Sequence, residues 1–215
     1  MIRLTNVSKS YPKRVALKDI SLTVPPGKII GIVGGNGSGK STLLKLMAGL
    51  SVPTSGSVTV NGETASRRSG KIVAYSSELG SFYPVFTVRE AMRFQAAQYA
   101  DFNLNKAEEI MQLMKLDPGM KIKALSKGNR GRLQIVLTLA REAPYILMDE
   151  PLSGLDPMVW LIVVALPIWT SGQMDDTVME TVIACLLVVL FPFVIPWRYV
   201  FENYVKQPGN RWNGK

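Results

Sequence analysis

The N-terminal part of the chain alternates apolar and polar residues with the period of half-buried β-strands. Apolar side chains recur through residues 17–24, and a Pro-Pro-Gly turn follows at 25–27. Val58 and Val60 precede an Asn-Gly dipeptide, which is typical of tight hairpin turns. These patterns predict a group of antiparallel strands.

Two short segments have a different pattern, because almost all of their residues are apolar. They are residues 28–33 and residues 145–148. Continuous apolar runs of this length are typical of parallel strands that are buried on both faces. We therefore expect two core strands of a parallel sheet, far apart in the chain.

The residues between these two runs have helical patterns. Thr87 and Glu90 have the spacing of a capping box, and Asn105 and Glu108 repeat the spacing before a second amphipathic segment. A Pro-Gly pair at 118–119 ends this section, and the apolar residues at 133–140 predict a largely buried helix. The predicted order is antiparallel strands, core strand, helical insert, core strand.

A phosphate-binding loop directly follows the first core strand, with a complete match to G-x-x-x-x-G-K-[ST] before an apolar helix at 42–47. Backbone N–H groups of such a loop converge on phosphate oxygens, and the helix N-terminus favours the same anion. Lys40 would reach the β- and γ-phosphates of a nucleotide, and the Ser41 hydroxyl would bind Mg²⁺. The predicted nucleotide-binding residues are Gly34, Asn36, Gly37, Ser38, Gly39, Lys40, Ser41 and Thr42.

Two adjacent carboxylates, Asp149 and Glu150, follow the second core strand. Ligands of parallel sheets bind at the carboxyl ends of the strands. Asp149 could hold Mg²⁺ through water, and Glu150 could polarise the water that attacks the phosphate. An Asp-Glu pair by itself also occurs in solvated turns, so the assignment depends on the neighbouring motifs.

The order of these motifs resembles the nucleotide-binding subunit of ATP-binding cassette (ABC) transporters over residues 1–157. Residues 34–42 are similar to the Walker A motif, 145–150 to Walker B with the catalytic glutamate, 125–129 to the LSGGQ signature, and 153–156 to the D-loop. The resemblance implies an α/β fold: a P-loop NTPase of ABC ATPase type with an antiparallel β-subdomain and a helical insert. ATP and Mg²⁺ are the implied cofactors.

The resemblance also assigns residues outside the loop. Tyr11 matches the aromatic residue that stacks on adenine, although a simple edge-strand tyrosine remains an alternative. Ser126 and Gly128 would contact the γ-phosphate of ATP held by a second ATP-binding subunit in a head-to-tail dimer. The partners implied are that subunit and a membrane subunit of the transporter, at the cytoplasmic face of the cell membrane, with no nucleic acid.

Some positions depart from the family pattern. Lys127 replaces the first glycine of the signature pair, and Asn129 replaces its glutamine. Glu78 falls where the family has a glutamine that contacts Mg²⁺; a carboxylate can also bind this ion. A glutamate in a surface loop is the alternative interpretation of Glu78.

Charge and histidine content limit the ligands and the chemistry that the chain can support. The chain has a net charge of +9, with 25 basic and 16 acidic residues and no histidine. The excess of 21 basic over 12 acidic residues lies entirely in residues 1–157, which suits an anionic ligand. Without histidine the chain can have no imidazole base, and it lacks the switch histidine of the family. The single cysteine, Cys185, forms no internal disulfide.

Residues 158–215 have another composition, with four residues of each charge and all four tryptophans. Three interpretations remain for this hydrophobic tail: membrane-embedded segments, a divergent end of the ATPase fold, or the product of a frameshift. The abrupt change near residue 158 favours a frameshift. For the function, two alternatives to a transport ATPase remain: a regulatory or truncated cassette with impaired hydrolysis, and a soluble ABC ATPase that acts on ribosomes or DNA.

Overall fold

The N-terminal part of the protein forms an antiparallel sheet. The computed structural model describes residues 1–28, 30–77 and 82–150. Strands β1 (Ile2–Tyr11), β2 (Arg14–Val24), β3 (Ser55–Val60) and β4 (Glu63–Thr64) lie in the order β2-β1-β3-β4. The predicted hairpin after Val60 is confirmed, because Asn61 and Gly62 turn the chain with φ of 51° and 88°.

Helix α1 (Lys40–Met47) packs against this sheet. Its apolar face and the inward residues of β1 and β3 form a common core with Val73, Tyr145 and Leu147. Leu46 is fully buried, and Met47 is nearly so. The helix predicted at 42–47 is therefore confirmed, and it begins two residues earlier than the apolar pattern indicates.

A pair of parallel strands lies beside this core. Strands β5 (Val73–Ser76) and β6 (Tyr145–Met148) pair in register from Val73 with Tyr145 to Ser76 with Met148. The prediction of a strand at 145–148 is confirmed, but only one of its faces is well buried, since Ile146 is 38% exposed. Strand β5 was not predicted, although its β-branched and aromatic residues are typical of strands.

The strand predicted at residues 28–33 is not formed. In the described part of this run the backbone forms no β-ladder hydrogen bonds with another strand. Ile30 and Val33 are 46% and 83% exposed. Only Ile32 packs partly against the core. A parallel strand needs neighbouring elements that bury it on both faces. Within residues 1–150 the described parallel sheet contains only β5 and β6, and neither of them pairs with the described part of residues 28–33.

The helical insert connects the two parallel strands. It comprises α2 (Val88–Gln98), α3 (Leu104–Leu113) and α4 (Lys127–Leu139), and a 3-10 turn at Ile122–Ala124 precedes α4. A second 3-10 turn, Arg67–Lys71, leads into β5. Helices α3 and α4 pack against each other, and α2 packs against both. Among the described residues, no helix is long and apolar enough to span a bilayer.

The helix caps match the sequence prediction in one case and not in the other. Thr87 and Glu90 form the predicted capping box of α2, with reciprocal hydrogen bonds of 3.2 and 2.7 Å between their side chains and backbone N–H groups. The cap of α3 is Asn103, whose side chain accepts a hydrogen bond from the Lys106 N–H. Asn105 was wrongly predicted for this role, because Asn103 supplies the same side-chain chemistry one half-turn earlier.

Candidate nucleotide-binding site

Glycine residues give the phosphate loop its shape. Gly37 and Gly39 adopt φ of 79° and 97°, which other residues rarely do. A Cβ on Gly39 would lie 2.5 Å from the carbonyl oxygen of Ala16 and 2.9 Å from Cδ2 of Leu17. Gly39 therefore lets the loop approach β2 closely, and it places the start of α1 directly after the loop.

The N-terminus of α1 is suited to an anion. The first N–H groups of a helix have no partner within it, and they carry partial positive charge. Gly39 caps the helix without a side-chain hydrogen bond, and no acidic residue lies in the first turn. The backbone at Lys40, Ser41 and Thr42 can thus receive phosphate oxygens.

Lys40 lies over the same loop. Its ammonium donates hydrogen bonds to the carbonyl oxygens of Gly34, at 2.8 Å, and Gly35, at 3.0 Å. These contacts hold the positive charge beside the loop's N–H groups. Asn36 and Ser38 are exposed in the same loop, and the N–H of Ser38 closes a turn on Gly35.

The loop meets the end of β6 through one side-chain pair. The Ser41 hydroxyl donates a hydrogen bond of 3.0 Å to Oδ1 of Asp149, although the two residues are 108 positions apart. Asp149 is only 5% exposed. The structure thus brings together the two residues for which the sequence predicts a common metal ion.

Tyr75 is a neighbour of Asp149 that was not predicted for the site. Its hydroxyl donates a long hydrogen bond of 3.3 Å to Oδ2 of Asp149. Burial, and then the negative charge and hydrogen bond of Asp149, raise the pKa of Tyr75 to about 12. The phenol therefore stays protonated and remains a donor at every physiological pH. The strand-like run at 72–75 is the sequence signal that could have identified it.

The donor atoms fit Mg²⁺. This ion prefers oxygen ligands and commonly takes one or two protein ligands together with substrate phosphates. The hydroxyl of Ser41 and the carboxylate of Asp149 supply such oxygens next to the phosphate loop. The part of the chain that the structure describes contains no group of three or more acidic, cysteine or histidine residues that could hold a metal ion by themselves.

Glu150 lies immediately beyond this pair and is exposed. Its φ of 49° is in the left-handed region, which costs a non-glycine residue about 1 kcal/mol or more. The chain therefore leaves the strand direction at Glu150, and the exposed carboxylate stands at the carboxyl edge of the parallel strands. This is a position from which it can reach solvent water.

Tyr11 lies at the end of β1, where it pairs with Arg14 across the first hairpin. The ring is 40% exposed, and the ammonium of Lys9 lies 5.3 Å from its centroid. Strand β2 of this hairpin is the one that Gly39 contacts. An exposed aromatic face is therefore present on the hairpin against which the phosphate loop packs.

The predicted signature residues lie at the start of α4. Ser126 is the exposed N-cap, and its hydroxyl accepts a hydrogen bond of 3.2 Å from the Asn129 N–H. Gly128 lies in the first turn of the helix. Among the hydrogen bonds of the described residues, none joins Ser126 or Gly128 to the phosphate loop, so this chain does not bring them to its own loop by direct contact.

Three predictions lie outside the described residues. They are the metal-binding role of Glu78, the D-loop at 153–156, and the tail at 158–215.

Comparison with known proteins places these features in a family. The family model described as ABC transporter matches residues 17–153. The ABC transporter ATP-binding protein YtrB of Bacillus subtilis (strain 168) is 30% identical over 183 residues, which cover 84% of this chain and 63% of YtrB. The lantibiotic transport ATP-binding protein SrtF of Streptococcus pyogenes is 30% identical, with 74% of this chain and 69% of SrtF covered. The chain thus spans less than two thirds of YtrB.

Solved structures agree with the sequence relatives. The ATP-binding subunit of an ABC transporter superposes with a TM-score of 0.70 at 26% identity, covering 77% of this chain and 72% of that one. The cassette MJ0796, in a dimeric post-hydrolysis state bound to ADP and Pi, gives a TM-score of 0.69 at 27% identity, covering 77% and 81%. Fold, motifs and family model therefore agree: the chain belongs to the ABC transporter family and has the P-loop NTPase fold of its ATP-binding cassettes.

Proposed function

We propose that this chain is the ATP-binding subunit of an ABC transporter, which binds and hydrolyses MgATP in a head-to-tail dimer and drives a membrane partner. The observation that carries the proposal is the hydrogen bond between Ser41 and Asp149. It joins the phosphate loop to the carboxyl end of β6, so that phosphate-binding and metal-binding groups share one site.

Each residue of the site has a distinct part in this proposal. The backbone of the loop and the ammonium of Lys40 bind the phosphates of ATP. Ser41 and Asp149 hold Mg²⁺, which would neutralise charge on the phosphate oxygens. Glu150, exposed beyond the buried carboxylate, orients and polarises the attacking water. Tyr11 offers its exposed ring to the adenine, and Glu78 is a further candidate for the metal.

The position of the signature supports the proposed dimer. Ser126 is exposed at the start of α4, and a second subunit would bring this helix N-terminus to the γ-phosphate. The cassette MJ0796, to which the chain is similar, has a dimeric structure. ATP binding would close such a dimer and hydrolysis would open it, which a membrane subunit at the cytoplasmic face would convert into transport.

A lysine pair in α1 provides a test of nucleotide binding. Lys40→Ala removes the ammonium beside the loop, whereas Lys45→Ala removes an exposed ammonium in the last turn of the same helix. A hydrogen bond to a charged group is worth about 1.5–3 kcal/mol, so we expect Lys40→Ala to weaken ATP binding by about 10- to 100-fold. Equal affinities of the two variants in a titration with ATP would contradict the proposal.

A second candidate is a cassette that binds ATP without efficient turnover. The observation that favours it is the absence of histidine from the sequence, since the family uses a histidine at the γ-phosphate. Release of inorganic phosphate distinguishes the two. Steady release from ATP, lost with Lys40→Ala, supports a transport ATPase; tight binding of ATP without release supports a regulatory cassette.

We also propose that the cassette ends near residue 157 and that the tail has a different origin. The change in charge and tryptophan content near residue 158 supports this proposal. The alignment with YtrB covers 84% of the chain and so extends into the tail, which instead favours the alternative of a divergent end of the ATPase fold. Translation of the gene in its other reading frames tests the frameshift interpretation. The interpretation fails if no family-like ending with a histidine emerges.

A further inference from the structure

We infer that Tyr75 is a positioning residue for the magnesium site, which it orients through Asp149. This inference rests on the proposed function, because it concerns the same site. It assigns a role to a side chain that the sequence motifs do not include.

The register of the parallel strands explains why Tyr75 reaches this carboxylate. Tyr75 pairs with Leu147, two residues before Asp149, and Ser76 pairs with Met148. The N–H of Asp149 then donates a hydrogen bond of 2.9 Å to the carbonyl oxygen of Ser76. The backbone of Asp149 is thus tied to the strand that carries Tyr75, and the long phenol can span the remaining distance.

The two oxygens of Asp149 have different donors. Oδ1 accepts from the hydroxyl of Ser41 at 3.0 Å, and Oδ2 accepts from the hydroxyl of Tyr75 at 3.3 Å. Two donors on opposite oxygens fix the rotation of the carboxylate about its terminal bond. Oδ1 is thereby held towards Ser41 and the phosphate loop, where the metal ion would bind.

Burial makes this hydrogen bond more important than an exposed one. Asp149 is 5% exposed, so solvent water does not readily replace a lost donor. Without the phenol, Oδ2 would lose its hydrogen bond and the carboxylate could rotate. Groups that orient a metal ligand in this way typically affect metal affinity by about 10- to 100-fold. Because the bond is long, we expect the lower end of this range.

The same region offers a matched control. Tyr75 and Tyr99 both line a cavity of about 340 Å³ between β5, α2 and α4. The ring of Tyr99 stacks on the guanidinium of Arg141, with 3.9 Å between the ring centroid and Cζ. Its hydroxyl has no hydrogen bond with Asp149 among those of the described residues. Tyr99→Phe therefore removes a phenol oxygen from the same cavity without affecting the carboxylate.

The experiment measures how Mg²⁺ changes ATP binding by the full 215-residue chain. Parent, Tyr75→Phe and Tyr99→Phe are titrated with ATP in excess chelator, and Mg²⁺ is then titrated at fixed ATP. We expect Tyr75→Phe to require about tenfold more Mg²⁺, while its metal-free affinity for ATP stays within about twofold of the parent. Tyr99→Phe should match the parent in both titrations.

Each other outcome overturns the inference. If the Mg²⁺ dependence of Tyr75→Phe equals that of Tyr99→Phe, then Tyr75 does not position the metal ligand. If Tyr75→Phe weakens metal-free binding as much as it weakens binding with Mg²⁺, its role is general packing of the site. If the parent itself binds no ATP or shows no Mg²⁺ dependence, both the proposed function and the inference fail. In the two preceding outcomes the parent still binds MgATP, so only the inference about Tyr75 fails.

Discussion

The helical insert and the segment before the phosphate loop contrast in how they are stabilised. Helix α4 buries Leu133 and Val136 completely, and α2 begins with a capping box. Residues 28–33 are more continuously apolar than α4, yet in the described part of this segment Val33 is 83% exposed. The more hydrophobic segment is thus the less buried one.

The difference shows which elements carry their own stability. A helix satisfies its backbone hydrogen bonds internally, and its caps come from adjacent residues. A parallel strand depends on neighbours that are distant in sequence. Local patterns therefore determine the insert, whereas a core strand forms only where partner strands lie beside it.

The largest predicted difference compares the two regions directly. Leu133→Ala leaves a cavity among fully buried residues, so the free energy of unfolding should fall by about 3 kcal/mol. Val33→Ala removes methyl groups from an exposed side chain and should change it by less than about 0.5 kcal/mol. Urea denaturation of the two variants and the parent measures both values. A loss from Val33→Ala comparable to that from Leu133→Ala would show that residues 28–33 form a core strand.

Arg141, which joins the insert to the 3-10 turn before β5, should have the next largest effect. Its guanidinium forms a bidentate ion pair with Asp101, at 2.8 and 3.0 Å, and donates to the carbonyl oxygen of Gly70 at 2.8 Å. Arg141 is 6% exposed and the Asp101 side chain 23%. Arg141→Met would leave both acceptors without this donor, so we expect a loss of about 2–3 kcal/mol.

Arg89→Met is the control for this change, because Arg89 is exposed on α2. Thermal and urea denaturation should show little change for this variant. If the two methionine variants are equally stable, the Arg141 contacts do not hold the insert to the 3-10 turn before β5.

The smallest effect concerns the capping box of α2. Two hydrogen bonds from Thr87 hold the pKa of Glu90 below its ordinary value of 4.5. The bond from the backbone N–H of Thr87 contributes more than the bond from its side chain. A lowered pKa stabilises the folded state above the ordinary pKa, and this contribution is lost as the pH falls through the folded value. Glu90→Gln should therefore lower the urea midpoint slightly at neutral pH, and the difference should shrink below pH 4.5. A difference that is independent of pH would contradict this account of the cap.

Much of the fold could be predicted from the sequence where its signals are local. The alternation before residue 24, the Asn-Gly turn after Val60 and the capping box at Thr87 each predicted an observed element. The predicted cap of α3, Asn105, lies two residues after the observed cap, Asn103, because both residues carry the same side chain. Strand β5 was not predicted, because a strand of four residues, Val-Ala-Tyr-Ser, is too short to show a clear alternation of apolar and polar residues.

The site was predictable to a similar extent. The motif spacing predicted that Ser41 and Asp149 belong together, and the structure places them in hydrogen-bond contact. Tyr75 could not be assigned, because its contact with Asp149 depends on the register between β5 and β6. Sequence spacing identifies residues within one motif, whereas contacts between strands require the pairing itself.

The most direct test of the account is the turnover of ATP by the parent and by Glu150→Gln. The exposed carboxylate of Glu150 follows the buried Asp149, and we propose that it activates the attacking water. The phosphate release of the parent should then be lost in Glu150→Gln, while ATP remains bound and recoverable from the protein. Equal rates of phosphate release by the two proteins would contradict the catalytic assignment.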